Sequence, residues 1–386
     1  MSPSIVALGD VVTFKGGGTP DRANTDYWGG QIPWTTVKDL NHGFSLRQTQ
    51  EFITEKGLQN SASNLVPAGT VIIPTRMALG KAVIAETNVA INQDLKAVFP
   101  VAGLNPRYLL WYFATNASKI AAMGKGATVK GVTLDQLRKL QVPLPSLAEQ
   151  QRIAAILDKA DALRAKRREA IAKLDQLLQS VFLDMFGDPV INPRSWPKAT
   201  VGALASFITS GSRGWAKYYA ESGAKFIRIQ NLVGGELDLS DCAFVNPPET
   251  AEARRTQVQP NDVLVSITAD LGRTAVVPSG LGRSHINQHI ALLRLEGVNA
   301  AYASHFLAGP GGQLQFGKLN RSAVKAGLNF NDLRSLEILL PPEALQQKYL
   351  RVIATVREAQ TKMSEALKGA DRLFGEIQHQ LFAGML

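Results

Sequence analysis

The sequence predicts an α/β (α+β) protein made by tandem duplication: two mixed globular heads separated by two long antiparallel coiled-coil helices. Three observations predict this. Leu137-Arg138-x-Leu140-x-Val142-x-Leu144-Pro145 returns as Leu333-Arg334-x-Leu336-x-Ile338-x-Leu340-Pro341, an offset of 196 residues. Each copy then runs through a Gln-Gln pair (Gln150-Gln151, Gln346-Gln347) into a long amphipathic stretch. The chain of 386 residues is also longer than one hydrophobic core usually supports.

The first head is expected over 1–145. Val71-Ile72-Ile73 and Ala97-Val98-Phe99 are short β-prone runs bounded by turn signals, and a single helix is expected from Pro106 to Ala121. A helix over 146–187 follows: Ser146 offers an N-cap, no Gly or Pro interrupts the stretch, and Gly187 and Pro189 stop it. One heptad line holds Leu157, Arg164, Ile171, Leu178 and Met185, and the other Ala160, Arg167, Leu174 and Val181. This is a coiled-coil seam broken by two arginines. Residues 188–196, with Asp188-Pro189 and Asn192-Pro193, read as a linker.

The second head, 197–341, repeats the first. Val37-Lys38-Asp39-Leu40 matches Ile229-Gln230-Asn231-Leu232, Leu79-Gly80-Lys81 matches Leu271-Gly272-Arg273, and Ile91-Asn92-Gln93 matches Ile286-Asn287-Gln288. Strands are expected at Val263–Ile267 and Ile290–Leu293, and a helix near Ala300–Leu307. The closing helix, 342–386, continues the heptad register with Ile353, Gln360, Leu367, Phe374 and Leu381 on one line and Val356, Met363, Ala370 and Ile377 on the other. Helices of about forty residues, about 60 Å long, do not bury such stripes alone, so the two are expected to pack together. An antiparallel pair would place two twofold-related heads at opposite ends.

Composition narrows the class. With 45% hydrophobic residues the chain is globular rather than disordered, and it has no apolar run long enough to span a bilayer and no signal-like start. One cysteine, Cys242, excludes an internal disulfide framework and gives a cytoplasmic expectation. Lys and Arg number 42 against 32 Asp and Glu, a formal charge of +10, which favours a polyanionic partner.

Gly16-Gly17-Gly18-Thr19-Pro20, Tyr27-Trp28-Gly29-Gly30 and Ile32-Pro33-Trp34 resemble the opening of target-recognition domains in specificity (S) subunits of Type I restriction–modification enzymes. The Leu79-Gly80-Lys81 and Ile91-Asn92-Gln93 segments are similar too, as are Pro143-Leu144-Pro145 with Glu149-Gln150-Gln151-Arg152-Ile153 and the helix ending Met185-Phe186-Gly187-Asp188-Pro189. The likeness covers essentially the whole chain. The second copy departs from it, because Thr209-Ser210-Gly211-Ser212-Arg213 lacks the Thr-Pro. The resemblance implies that each head reads one half of a bipartite double-stranded DNA site, while the helices set the gap and dock two modification (N6-adenine methyltransferase) subunits. Restriction subunits would join the full enzyme. S-adenosylmethionine, Mg and ATP would then belong to the partners, with no cofactor in this chain.

Candidate DNA-contacting residues lie in expected loops: Lys15, Thr19, Arg22, Thr36, Lys38, Arg76, Lys81, Lys125 and Lys130 in the first head, and Arg213, Lys217, Arg228, Gln230, Arg273, Asn287, Arg321 and Lys325 in the second. Cationic side chains neutralise phosphates or fork onto guanine, whereas hydroxyls and amides read base edges. Any one of them is more often a solvated charge, and the set carries more weight than its members. Tyr27, Trp28, Trp215, Tyr218 and Tyr219 are candidates for stacking on bases, while Trp34 and Phe226 are assigned to the core. Expected helix-pair contacts are Leu157, Arg164, Arg167, Ile171, Leu174, Leu178, Ile353, Val356, Met363, Leu367, Phe374 and Ile377, with the two arginines reaching acidic groups.

No catalytic signature emerges. Asn246-Pro247-Pro248-Glu249 lacks the aromatic that follows Asn-Pro-Pro in adenine methyltransferases, and no Gly-x-Gly cofactor loop accompanies it, so it reads as a proline turn. Gly80-Lys81 lacks the flanking residues of a P-loop. His285 and His289 lack a third ligand, and no metal site is expected. The rival readings are a self-contained DNA adenine methyltransferase, which binding of S-adenosylmethionine by the isolated chain would favour, and a coiled-coil scaffold that binds DNA without sequence preference.

Overall fold

The computed structural model describes residues 4–41, 43–126, 129–320 and 327–383. The chain forms two compact units, Met1–Glu169 with Glu365–Leu386 and Ala170–Ser364. Each unit is a head together with one end of each long helix, and the heads' own aromatic residues bury those ends.

In unit 1 the central sheet runs Val12–Gly16, Leu95–Pro100, Val71–Pro74, Val83–Ala85 and Ser45–Leu46. A second sheet runs Glu51–Ile53, Trp28–Thr35, Val89–Ile91 and Asn64–Val66. Ser4–Ala7 pairs with Gln141–Leu144. Unit 2 repeats the order: Ala205–Ser210, Ile290–Leu295, Val263–Ser266 and Thr274–Val276 form one sheet, and Lys198–Thr200 pairs with Glu337–Leu339. Even the parallel pairing recurs, Trp34 beside Ala90 in one copy and Phe226 beside His285 in the other. Trp34 and Phe226 are buried, as expected of core residues.

The recurring motifs have local physical causes. A Cβ on Gly17 would lie 1.9 Å from the Ile91 carbonyl oxygen, and one on Gly211 would lie 2.0 Å from that of Asn287. Only glycine lets the first loop dock on the Ile-Asn-Gln turn in either copy, which holds without the Thr-Pro. Asp39 and Asn231 each accept from a backbone N–H three residues earlier, Thr36 at 2.8 Å and Arg228 at 2.9 Å, closing a short 3₁₀ turn. Met77 and Ala269 both adopt left-handed backbone, with φ of 63° and 61°, ahead of Gly80 and Gly272.

The Gln-Gln signal is an anchor. Gln150 is fully buried; its carbonyl accepts from Asn105 N at 2.8 Å and its amide donates to Gly103 O and Pro145 O at 2.9 and 3.0 Å. Gln346 does the same work in unit 2, accepting from Asn299 N at 3.1 Å and donating to Pro341 O at 2.8 Å. Asn105 and Asn299 in turn cap the helices Pro106–Thr115 and Ala300–Ala308. The single helix expected to Ala121 is two, broken at Asn116, whose side-chain amide donates back to Tyr112 O. After its counterpart a helix over Pro310–Leu319, unforeseen from sequence, starts at a proline that ends the one before.

The long helices span Leu147–Phe186 and Glu343–Ala383. In unit 1 the start of the first packs beside the end of the second: Arg164 reaches Asp371 and Arg167 reaches Ala366. In unit 2 the end of the first meets the start of the second, with Phe182 edge-on to Tyr349 at 5.7 Å. Both pairings are antiparallel. Leu157, Ile353, Val356 and Phe374 are buried on the seam, whereas Ile171, Leu174, Leu178, Met363, Leu367 and Ile377 are half-buried. Head aromatics close the seam in unit 1, Trp111 on Phe374 and Tyr108 on Phe382. The two arginines, expected to reach acidic groups on the opposite helix or on a modification subunit, differ in their partners here. Arg164 bonds Asp371 at 2.6 Å with its guanidinium over the Phe374 ring, whereas Arg167 donates to a helix carbonyl, Ala366 O at 3.1 Å.

Residues 188–196, expected as a linker, form a folded turn. Gly187 takes the left-handed stop position, Asp188 Oδ1 accepts from Val190 N at 2.7 Å, and the Trp196 indole donates to Phe186 O at 2.9 Å.

Candidate nucleic-acid interface

In unit 1 several loops border two adjoining clefts. A cleft of about 490 Å³ is lined by Thr19, Arg22, Thr36, Lys38, Asn41 and Gln93, among others. A second, of about 1010 Å³, is lined by Arg76, Gln93, Lys96, Lys125, Thr133 and Gln136, among others. Gln93 borders both, so the two clefts share a wall.

Arg22 is fixed rather than free. Glu51 grips it through both carboxylate oxygens, one contact at 2.9 Å, and its guanidinium lies 3.8 Å from the centre of the Trp28 ring. Hydrogen bonding to Arg22 holds the Glu51 carboxyl below its ordinary pKa and raises that of the arginine. Lys38 is exposed, whereas Thr36 has its N–H and hydroxyl committed to Asp39. Lys81, also exposed, donates to Asn41 at the edge of the first cleft. Arg76 stands 3.9 Å from Asp94, and Lys125 and Lys130 are exposed, Lys125 lining the second cleft. Lys15 lies on an edge strand, exposed, instead of in a loop.

Sequence reasoning missed Lys96. It sits on the strand Leu95–Pro100 and donates to Gln93 O at 2.9 Å and Leu95 O at 3.1 Å. Burial pulls its pKa below the usual lysine value, Asp94 pulls it back and the Arg76 charge adds to the fall. The missing signal was register: nothing in the spacing shows which strand residue faces a cleft.

The second unit is less open in its contacts. Arg213 is exposed, and Lys217 lies 5.0 Å from the Tyr218 ring. Arg228 and Gln230, expected as readers, are both tied to Asp241, the arginine at 3.2 Å and the amide at 3.1 Å. Arg273 is exposed and paired with Asp270. The Asn287 side-chain Oδ1 accepts from His289 N at 3.1 Å, so it shapes its turn. Arg321 and Lys325 lie outside the described residues. Arg255, unflagged by the sequence, ties down the first loop through Thr209, Ser210 O at 3.1 Å and Ser212 at 3.3 Å.

Among the stacking candidates, Tyr219 is exposed, Tyr27, Trp28 and Tyr218 are half-buried, and Trp215 is buried within 5.1 Å of the Phe226 and His285 rings. Asn246-Pro247-Pro248-Glu249 is a turn, with Asn246 N donating to Tyr218 O at 2.8 Å and Glu249 paired with Arg283 at 3.0 Å.

The structure is thus a duplicated α/β head on paired long helices, with a basic loop surface on the first head, and known proteins share this plan. Residues 4–173 match the family described as Type I restriction modification DNA specificity domain. The MjaIX specificity subunit of Methanocaldococcus jannaschii is 28% identical over 259 residues, covering 61% of this chain and 59% of that protein. The EcoR124I/EcoR124II specificity subunit of Escherichia coli is 30% identical over 182 residues, 45% of each. The chain thus spans only about half to three-fifths of the length of these relatives. In fold it is similar to a type I restriction–modification S subunit from M. genitalium, with a TM-score of 0.59, 13% identity and 99% of both chains covered. A chain from a type I R-M system solved for its assembly and conformational transition gives a TM-score of 0.63 at 17% identity, covering 100% of this chain and 98% of that one. The first unit thus matches the model of that family, and the chain is similar in sequence and fold to Type I specificity subunits.

Proposed function

We propose that this chain is the non-catalytic DNA-recognition subunit of a Type I restriction–modification enzyme, acting in the cytoplasm, each head reading one half of a bipartite duplex target. The observation that carries the reading is the convergence of Arg22, Lys38, Arg76, Lys96 and Lys125 on the two adjoining clefts of the first head. Such a surface neutralises several phosphates in a row and surrounds side chains able to reach base edges. Among the described residues no helix is long and apolar enough to cross a membrane.

The long helices would dock modification subunits, two per chain, and set the gap between half-sites; restriction subunits would join the full enzyme. S-adenosylmethionine, Mg and ATP would be held by those partners. The test is salt-dependent binding of the chain with its modification subunit to its target duplex. Arg76→Ala and Lys125→Ala should each lower affinity and reduce the slope of log K against log salt by about 1. Unchanged slopes in both variants would remove this surface from the interface.

A further inference from the structure

The Ile-Asn-Gln turn recurs in both copies, its glutamine exposed in the first, Gln93, and half-buried in the second, Gln288. The asparagine is consumed in building the turn: Asn92 Oδ1 accepts from Asp94 N and Asn287 Oδ1 from His289 N, each at 3.1 Å. Backbone bonds pin both turns to the neighbouring strand, Asn92 N to Thr35 O and Asn287 N to Ile227 O, again at 3.1 Å. Gln93 is exposed on the wall shared by the two basic clefts, and Lys96 clamps its backbone carbonyl.

The two glutamines are held in opposite senses. The Thr19 hydroxyl donates to Gln93 Oε1, which leaves both N–H groups of Nε2 for a ligand. In the second copy Gln288 Nε2 bonds His289 Nε2 at 2.9 Å, while His289 Nδ1 bonds Thr268 Oγ1 at 2.6 Å. An amide nitrogen only donates, so His289 Nε2 is the lone-pair nitrogen and the ring proton sits on Nδ1, facing Thr268. Gln288 is left with a free carbonyl oxygen and one N–H.

The geometry points to Gln93 and Gln288 as base-reading residues of opposite polarity, which deepens the DNA-recognition reading and rests on it. Gln93 offers two donors, matching the paired N7 and O6 acceptors of guanine in the major groove. Gln288 offers an acceptor beside a donor, matching adenine N6 and N7. Thr19 and the His289–Thr268 pair fix these polarities, and each side chain is held before DNA arrives.

The test is enrichment from a randomised duplex library by the chain purified with its modification subunit, comparing wild type with Gln93→Glu and Gln288→Glu. Glutamate at 93 still accepts from Thr19 but turns an acceptor toward the DNA. One guanine in one half-site should become cytosine or adenine, with a change in relative enrichment of about tenfold or more. At 288 the change removes the donor and keeps the acceptor, so one adenine in the other half-site should lose about tenfold discrimination against cytosine. Thermal melting checks that both variants fold, as two side chains at loop tips should allow. Unaltered motifs in both variants would overturn the assignment, as would loss of all enrichment, because a reader of one base edge leaves the other positions intact. A wild-type complex that enriches no bipartite motif would instead refute the underlying DNA-recognition reading.

Discussion

Replacing Gln150 by Leu probes how a head is fastened to its helix. The substitution roughly keeps volume, but it strands the Asn105 N–H and leaves the Gly103 and Pro145 carbonyls without their partner; Gln150 has no exposure, Asn105 and Pro145 are half-buried, and the exposed Gly103 can turn its carbonyl to water. An unsatisfied buried polar group costs about 1–3 kcal/mol, so the two others cost roughly 4 kcal/mol. The more apolar leucine recovers about 2 kcal/mol by burial. The net loss expected is about 2 kcal/mol, a sizeable share of the roughly 5–15 kcal/mol that stabilises a domain. Gln346→Leu breaks two such bonds and should cost about as much. Urea unfolding of the full chain, followed by hydrogen exchange in Pro106–Thr115 and Ala300–Ala308, assigns each loss to its unit. If Gln150→Leu costs less than about 1 kcal/mol, or if its effect appears at Ala300–Ala308, the anchor argument is wrong.

Other predictions follow from single contacts. Arg164→Glu sets a carboxylate against Asp371 and Asp161 and should lower the melting temperature of the full chain, with Asp371→Arg in the same chain restoring part of it; no restoration would mean that the pair is incidental. Burial holds the His285 pKa down to about 4 from 6.5, so the folded state keeps this ring neutral while the unfolded chain takes a proton below pH 6.5. Stability should therefore fall as pH drops from 6.5 towards 4, by up to roughly 3 kcal/mol, and His285→Phe should flatten that part of the urea-unfolding profile. One heptad added to each long helix preserves the seam and adds about 10 Å. If the helices set the gap, methylome sequencing should show unchanged half-sites and a gap longer by about three base pairs.

The legible parts of this fold were those whose causes lie close in sequence. A heptad stripe, a terminal Gly-x-Pro and a β-prone run between turns carry their structure locally, which is why the helix over Leu147–Phe186 and the strands at Val71 and Val263 were foreseen. The duplication was legible because recurring motifs mark recurring turns, such as Gly17 and Gly211 against their Ile-Asn-Gln partners. What stayed hidden depends on distant partners. Gln150 was only a marker of the repeat until Gly103 and Pro145 were placed beside it. Asn287 looked like a reader because an asparagine committed to its own turn has the same spelling as one facing DNA, and Gln93 was passed over for the same reason. Arg228 and Gln230 were similarly ambiguous until Asp241, more than ten residues on, came to meet them. Lys96 needed strand register, which composition does not encode.

The most direct test of the account is the methylated sequence itself. A host expressing this chain with its modification subunit should carry one bipartite adenine-methylated motif, two short defined halves around a fixed undefined gap. Exchanging residues 197–341 for the matching segment of another specificity subunit should replace one half and leave the other intact. A single uninterrupted motif, or an exchange that alters both halves together, would contradict two independently reading heads.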